Sequence, residues 1–190
     1  MGGGGEGVRP WRRAAARTLV LDRWIHLRAE AWVTGAGLLL DPWYMLDRPD
    51  WVHVVALTPD GRLVLVRQFR PGAGAAVLEL PGGVMEPGET DPVDAARREF
   101  REETGFDAAE FAPVSSLSPE PGHATNRVHF VLARGAAPEG PQRLDEGEEI
   151  AVELHPVETV LSVLTRGVLA NAGHVGGLLL ALRQAGRIGF

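Results

Sequence analysis

The segment from Gly82 to Phe106 constrains this chain more than any other. It opens with Gly82-Gly83, carries a third glycine at Gly88 and glutamates at Glu86 and Glu89, and then runs into a helix signal. Asp91 suits the helix N-cap, Pro92 fits the first helical position, and Gly105 suits the residue that ends the helix. The spacing therefore predicts a helix from about Pro92 to Thr104. Val93, Ala96 and Phe100 form an apolar stripe on it, while Glu99, Glu102 and Glu103, at i, i+3 and i+4, share a different face. Like charges so spaced destabilise a helix by roughly 0.2–0.5 kcal/mol per pair. A solvated acidic face is one reading. A divalent cation held among the carboxylates is the other, and oxygen donors of this kind suit magnesium or manganese. The glycines favour the second reading, because the backbone can turn sharply there and approach a ligand closely. Its carbonyls can complete an oxygen coordination sphere, and Arg98 can tie loop to helix by a bidentate pair with Glu89.

Around this segment, strands and helices mix without a regular βαβ repeat. Ile25, Leu27 and Ala29 alternate with His26, Arg28 and Glu30, as in a half-buried strand. Val52–Leu57 and Leu63–Gln68 flank Asp60-Gly61, a hairpin signal. Val77–Leu80 is a short strand stopped by Pro81-Gly82-Gly83. Val128–Ala133 and Ile150–Leu154 are further strands, the latter preceded by the acidic run Asp145-Glu146-Gly147-Glu148-Glu149. Val157–Leu164 and Val175–Arg183 read as helices. The pattern predicts an α+β class, with a mixed sheet between helices rather than a doubly wound fold. The expected boundaries are a flexible leader over 1–17, an N-terminal antiparallel β extension over 18–50, and a main domain over 51–190.

Composition narrows the partners. With 45% hydrophobic residues in 190, the chain can bury a core. Its formal net charge of −6 opposes nucleic-acid binding, which needs surplus cations. No apolar run is long enough to span a bilayer, so no membrane partner is expected. The glycine-rich N-terminus lacks the apolar core of a secretory signal. Without cysteine, neither disulfides nor a thiolate zinc site can form, which fits a reducing, cytoplasmic setting. Arg9, Arg12, Arg13 and Arg17 form a small basic arm, read as a solvated tail.

The residues from Gly83 to Phe106 resemble the Nudix box, G-x5-E-x7-R-E-U-x-E-E-x-G-U with U a bulky apolar residue. Gly83 and Glu89 match the first part, and Arg98-Glu99-Phe100-Arg101-Glu102-Glu103-Thr104-Gly105-Phe106 matches the second at every defined position. One departure stands at the loop–helix junction: eight residues separate Glu89 from Arg98 instead of seven. Leu65–Arg70, Leu78–Gly83 and Leu144–Ile150 are similar to the ADP-ribose and nucleotide-sugar pyrophosphatase branch. The resemblance implies a Nudix-type mixed sheet between helices. It also implies a hydrolase that uses Mg2+, with Mn2+ as a substitute, to split a nucleoside diphosphate linked to another group. ADP-ribose or another nucleotide sugar is the expected substrate. The alternatives are a nucleoside triphosphate, a dinucleoside polyphosphate or a coenzyme as substrate, or a non-catalytic ligand sensor.

By position, the resemblance makes Glu99, Glu102 and Glu103 metal ligands, with the Gly82 carbonyl and Glu148 as further ones. It draws the general base from the loop Glu146–Glu149, with Glu148 ahead of Glu146, and sets Glu103 beside them in catalysis. Candidate substrate contacts are Arg67, Arg70, Glu79, Arg98 and Asn126. Gln68, His123, Arg127 and His174 are weaker ones. Trp24, Trp32, Trp43, Tyr44 and Trp51 can stack a base, but packing or a subunit seam suits them better. The branch also implies a homodimer joined through the N-terminal strands.

Overall fold

The structure, a computed structural model, describes residues 7–23 and 25–189. Trp24 lies outside them. The chain divides into two compact units, residues 1–48 with 118–126, and 49–117 with 127–190.

The first unit is an antiparallel meander of β1 (Arg12–Leu21), β2 (His26–Val33) and β3 (Leu39–Asp47). Its anchor is Glu30, 1% exposed, which accepts from Arg28, Arg13 and the Trp32 indole at 2.8, 3.1 and 2.9 Å. A buried carboxylate needs this density of donors to offset its lost hydration. Residues 118–126 attach through Leu46, whose N–H donates to the His123 carbonyl and whose carbonyl accepts from Thr125. Trp43 stacks on His123 at 5.3 Å and meets Trp11 edge-on at 5.6 Å. Packing thus accounts for Trp32 and Trp43.

The expected leader over 1–17 is corrected by β1, which begins at Arg12. Arg12 to Ala16 contains no β-branched or aromatic residue, so local propensity is silent there. Pairing with β2 and the Arg13–Glu30 contact form the strand instead.

The second unit begins with β4 (Trp51–Leu57), β5 (Arg62–Arg70) and β6 (Ala75–Glu79), followed by α1 (Pro92–Thr104). Then come β7 (Phe106–Asp107), β8 (Glu110–Leu117), β9 (Val128–Arg134), β10 (Ala137–Pro138) and β11 (Ala151–Pro156). It closes with α2 (Val157–Val163), a 3-10 turn at Leu164–Arg166, and α3 (Ala172–Gln184). The main sheet runs β11-β5-β4-β9-β8, with β6 on the outer half of β5. Only β4 and β9 are parallel; the other pairs are antiparallel.

The period-2 alternation of strand side chains sorts the core into two layers. Val52, Val54, Ala56, Val64, Val131 and Ala133 face Ala95, Ala96 and Phe100 of α1. Val55, Leu57, Leu63, Leu65, Phe130 and Leu132 face Val157 and Val160 of α2 and Leu178, Ala181 and Leu182 of α3. Burial on both faces explains why β4 and β5 read as apolar runs rather than alternating ones. The chain is therefore α+β, as its pattern predicts.

The helix carrying the glutamates has the predicted bounds. Asp91 accepts the Val93 N–H at 2.8 Å, and Gly105 ends the helix in the left-handed region at φ 68°. Phe100 is fully buried and presses α1 onto the sheet, which leaves the acidic face directed away from that layer.

Candidate active site

The turn Leu80–Gly83 passes from β6 across the end of β4. The N–H groups of Val52 and Val54 donate to the Gly83 and Pro81 carbonyls at 2.9 and 2.8 Å. Gly82 sits so close that a Cβ there would lie 2.1 Å from the Val52 carbonyl oxygen, so only glycine fits. Its N–H donates to Glu103 Oε2 at 2.8 Å. Gly83 leaves room for the neighbouring carboxylate, since a Cβ there would stand 2.5 Å from Glu99 Oε2.

Arg98 is the hub of the acidic face. It holds Glu89 in a bidentate pair at 2.9 and 3.0 Å, so the extra residue before the helix is absorbed without loss of this contact. The same guanidinium reaches Glu99 at 2.8 Å, Glu102 at 2.9 Å and the Val84 carbonyl at 3.2 Å. Arg98 pulls the Glu89 pKa below the usual carboxylate range. Glu103 lacks such a partner. Burial pushes it up to about 8 against the pull of the Gly82 N–H, and nearby Glu99 and Glu148 push the same way. Glu99 is raised mainly by burial, with Glu102 and Glu148 adding to it.

A strap over residues 139–148 crosses the end of α1. The last carbonyls of a helix have no partner within it. Here Arg143 N–H donates to the Glu102 carbonyl at 2.8 Å, and the Gln142 amide donates to the Glu103 carbonyl at 2.6 Å. Asp145 and Glu148 close a turn, each N–H of the pair bonding the other residue. Strap, glycine turn and acidic helix face enclose a cavity of about 710 Å³.

The cavity gathers Gly82, Glu99, Glu102, Glu103, Glu148, Arg70 and Arg98 from the predicted set, and the weaker candidates Gln68 and Trp51 line it too. Other predicted residues are not brought there. Arg67 is engaged by Glu153 on the neighbouring strand at its Nε, and Glu146 does not line the cavity. Glu79 pairs with Arg70 at 2.7 Å and borders a smaller recess with Asn171. Asn126 and His123 belong to the three-stranded unit. Arg127 is held by Ser116 and Asp50. Sequence reasoning missed Asp50, Arg143 and Asp145, which do line the cavity. Of these, Asp145 alone carried a signal, as part of a charge run.

His174 does not reach the cavity either. Its Nδ1 accepts the Leu80 N–H at 3.3 Å, so its own proton sits on Nε2 and points to His53 Nε2 at 3.2 Å. Burial lowers the His53 and His174 pKa values to about 4 and about 2, so both rings are neutral. The pair pins the start of the glycine turn between β4 and α3.

Among the described residues, no three acidic or histidine side chains already converge as a metal-binding group; Arg98 draws Glu99 and Glu102 to itself. The donor chemistry nonetheless fits a hard divalent cation. The side chains offer only carboxylate oxygens, and the buried Glu103 carries an ionisation cost that a nearby positive charge would relieve.

The arrangement is a mixed sheet between helices, with a glycine turn braced against an acidic helix face. The NUDIX domain family model matches residues 47–174, and the chain belongs to the Nudix family. It is 36% identical over 143 residues to the methanol dehydrogenase activator of Bacillus methanolicus, covering 74% of this chain and 77% of that one. It is 33% identical over 121 residues to the ADP-ribose pyrophosphatase of Bacillus subtilis, covering 63% and 65%. The ADP compounds hydrolase of Escherichia coli is 29% identical over 150 residues, covering 76% and 80%. A crystal structure of an ADP compounds hydrolase superposes with a TM-score of 0.83 over 96% of this chain and 100% of that one. At 24% identity, that likeness establishes the fold.

Proposed function

We propose that the chain is a magnesium-dependent pyrophosphohydrolase that splits ADP-ribose, or a related nucleotide sugar, into a nucleoside monophosphate and a sugar phosphate. The observation that carries this reading is the meeting of Glu99, Glu102 and Glu103 with Glu148 around one cavity. The names of the Bacillus subtilis and Escherichia coli relatives support the ADP-containing substrate class.

Glu99, Glu102, Glu103 and the Gly82 carbonyl would hold the cation, with Glu148 as a further ligand or as the base. A bound Mg2+ supplies charge neutralisation for the diphosphate and lowers the pKa of water. Glu148 takes the proton of the attacking water as its oxygen bonds to phosphorus, and the bridging oxygen leaves with the other phosphate. Gly82 N–H keeps Glu103 in place, and Arg98 holds the loop to the helix. Arg70 and Glu79 are proposed to contact the substrate from the adjoining recess.

The test is a hydrolysis panel of ADP-ribose, GDP-mannose, UDP-glucose, nucleoside triphosphates and a dinucleoside polyphosphate. ADP-ribose should yield AMP and ribose 5-phosphate, and EDTA should stop the reaction. Turnover indifferent to EDTA, or none with any compound, would sink the reading. Preference for a triphosphate or dinucleoside polyphosphate would move the substrate class within the same chemistry.

The proposal includes a cytoplasmic homodimer formed through the three-stranded unit. Every residue of β1 is exposed, including Leu19, Val20 and Leu21, and Leu39 and Tyr44 are exposed as well. Apolar side chains gathered on one small sheet suit an interface. Light scattering should give twice 20.4 kDa. A mass of one chain would refute the dimer.

A further inference from the structure

We infer that Arg143 is a substrate-binding residue that grips the diphosphate of the substrate. The inference rests on the pyrophosphohydrolase reading and adds a residue to it. Three arginines line the cavity: Arg70, Arg98 and Arg143. Arg70 is paired with Glu79, and Arg98 is saturated by three carboxylates and a carbonyl. Among the described residues, no ion pair or hydrogen bond engages the Arg143 guanidinium; its bond to Glu102 is made by the backbone.

Geometry fixes the point from which this side chain reaches. Its own N–H is tied to the Glu102 carbonyl, and the Gln142 amide beside it bridges the carbonyls of Glu103 and Ile150 at 2.6 and 3.0 Å. The Cα of Arg143 is therefore registered to the helical turn that presents Glu102 and Glu103. Arg143 lines the cavity wall that also carries Asp145 and Glu148, and it borders the adjoining cleft beside Glu102 and Pro141 as well.

Charge supplies the reason. The cavity is lined by eight carboxylates and three guanidinium groups. Cations bound by the glutamates neutralise acid groups of the protein first, whereas a diphosphate brings two further negative charges. A planar guanidinium can take two phosphate oxygens at once, and a free one spends nothing on breaking an existing pair. Arg143 meets that description, and Arg70 and Arg98 do not.

The test compares wild type with Arg143→Ala and Arg143→Lys. Steady-state kinetics on ADP-ribose with Mg2+ are paired with calorimetric binding of the non-hydrolysable α,β-methylene ADP-ribose. Arg143→Ala should raise KM and the analogue Kd roughly tenfold or more. It should leave kcat within about threefold, and the melting temperature and the Mg2+ activation midpoint unchanged, since the anchoring bond is made by the backbone. Lysine should recover part of the affinity through charge alone. An unchanged KM and Kd in Arg143→Ala would overturn the inference, as would a loss confined to kcat or to Mg2+ dependence. A wild-type protein that neither hydrolyses ADP-ribose nor binds the analogue would overturn the ADP-ribose assignment itself.

Discussion

Replacing Glu103 by glutamine should abolish turnover while leaving the fold intact. Glu103 is 6% exposed and its Oε2 accepts the Gly82 N–H at 2.8 Å. A glutamine carbonyl can accept the same bond, so the glycine turn keeps its register. What the amide cannot do is supply negative charge to a divalent cation. The loss expected for removing one electrostatic element of a phosphoryl-transfer site is roughly a thousandfold in kcat, about 4 kcal/mol in the barrier. Circular dichroism of the variant should match wild type, and its melting temperature should no longer rise when Mg2+ is added. Activity within tenfold of wild type would contradict the placement of Glu103 among the metal ligands. An unfolded variant would show that the carboxylate is needed for the fold, and Glu102→Gln, at a more exposed position, would then carry the test of the metal assignment.

Local signals made the central helix legible. Asp91-Pro92 and Gly105 punctuate both ends, and the apolar stripe through Phe100 set which face would be buried. The strands of the two-faced core were also readable, because β4, β5 and β9 are dense in valine and leucine. Elements whose stability comes from pairing were not. β1 starts in arginine and alanine, β8 carries Pro113 and two serines, and β3 carries Pro42, so their local sequences advertise turns as much as strands.

The site divided along similar lines. Glu99, Glu102 and Glu103 share a helix face, and helical periodicity displays such neighbours directly. Arg67 and Arg70 are equally plausible phosphate contacts by sequence, yet cross-strand pairing with Glu153 engages the first, which sequence separation hides. Arg143 was invisible for the opposite reason. Its relevance comes from a strap that satisfies the free carbonyls of α1, a tertiary solution with no local pattern. Whether an arginine is available depends on what else it touches, and that is knowable only once the strands are laid side by side.

The metal-free protein should be most stable near neutrality, with a fall on each side that has a different cause. Glu103 has a folded pKa of about 8 against the ordinary 4.5 of a glutamate, so the folded state holds a proton that the unfolded state releases. Its contribution is fully present below about pH 4.5 and is lost as pH rises through 8, an effect of about 5 kcal/mol at most. His53 and His174 have the reverse sign. Their folded values of about 4 and about 2 lie below the ordinary 6.5, so the unfolded chain takes up protons first on acidification. Stability from these rings is complete above 6.5 and declines below it, His53 alone accounting for about 3 kcal/mol by pH 4. Between 4.5 and 6.5 the two effects oppose, and above 6.5 only the Glu103 loss remains. In EDTA the melting temperature should therefore peak between pH 6 and 7 and drop by several degrees by pH 9. Added Mg2+ should remove the alkaline fall by favouring the ionised carboxylate, and leave the acid fall untouched, because neither histidine lines the cavity. Glu103→Gln should lack the alkaline fall even in EDTA. A metal-free melting temperature that is flat from pH 7 to 9, or an alkaline fall that Mg2+ does not reverse, would show that the buried glutamate is not where the cation acts.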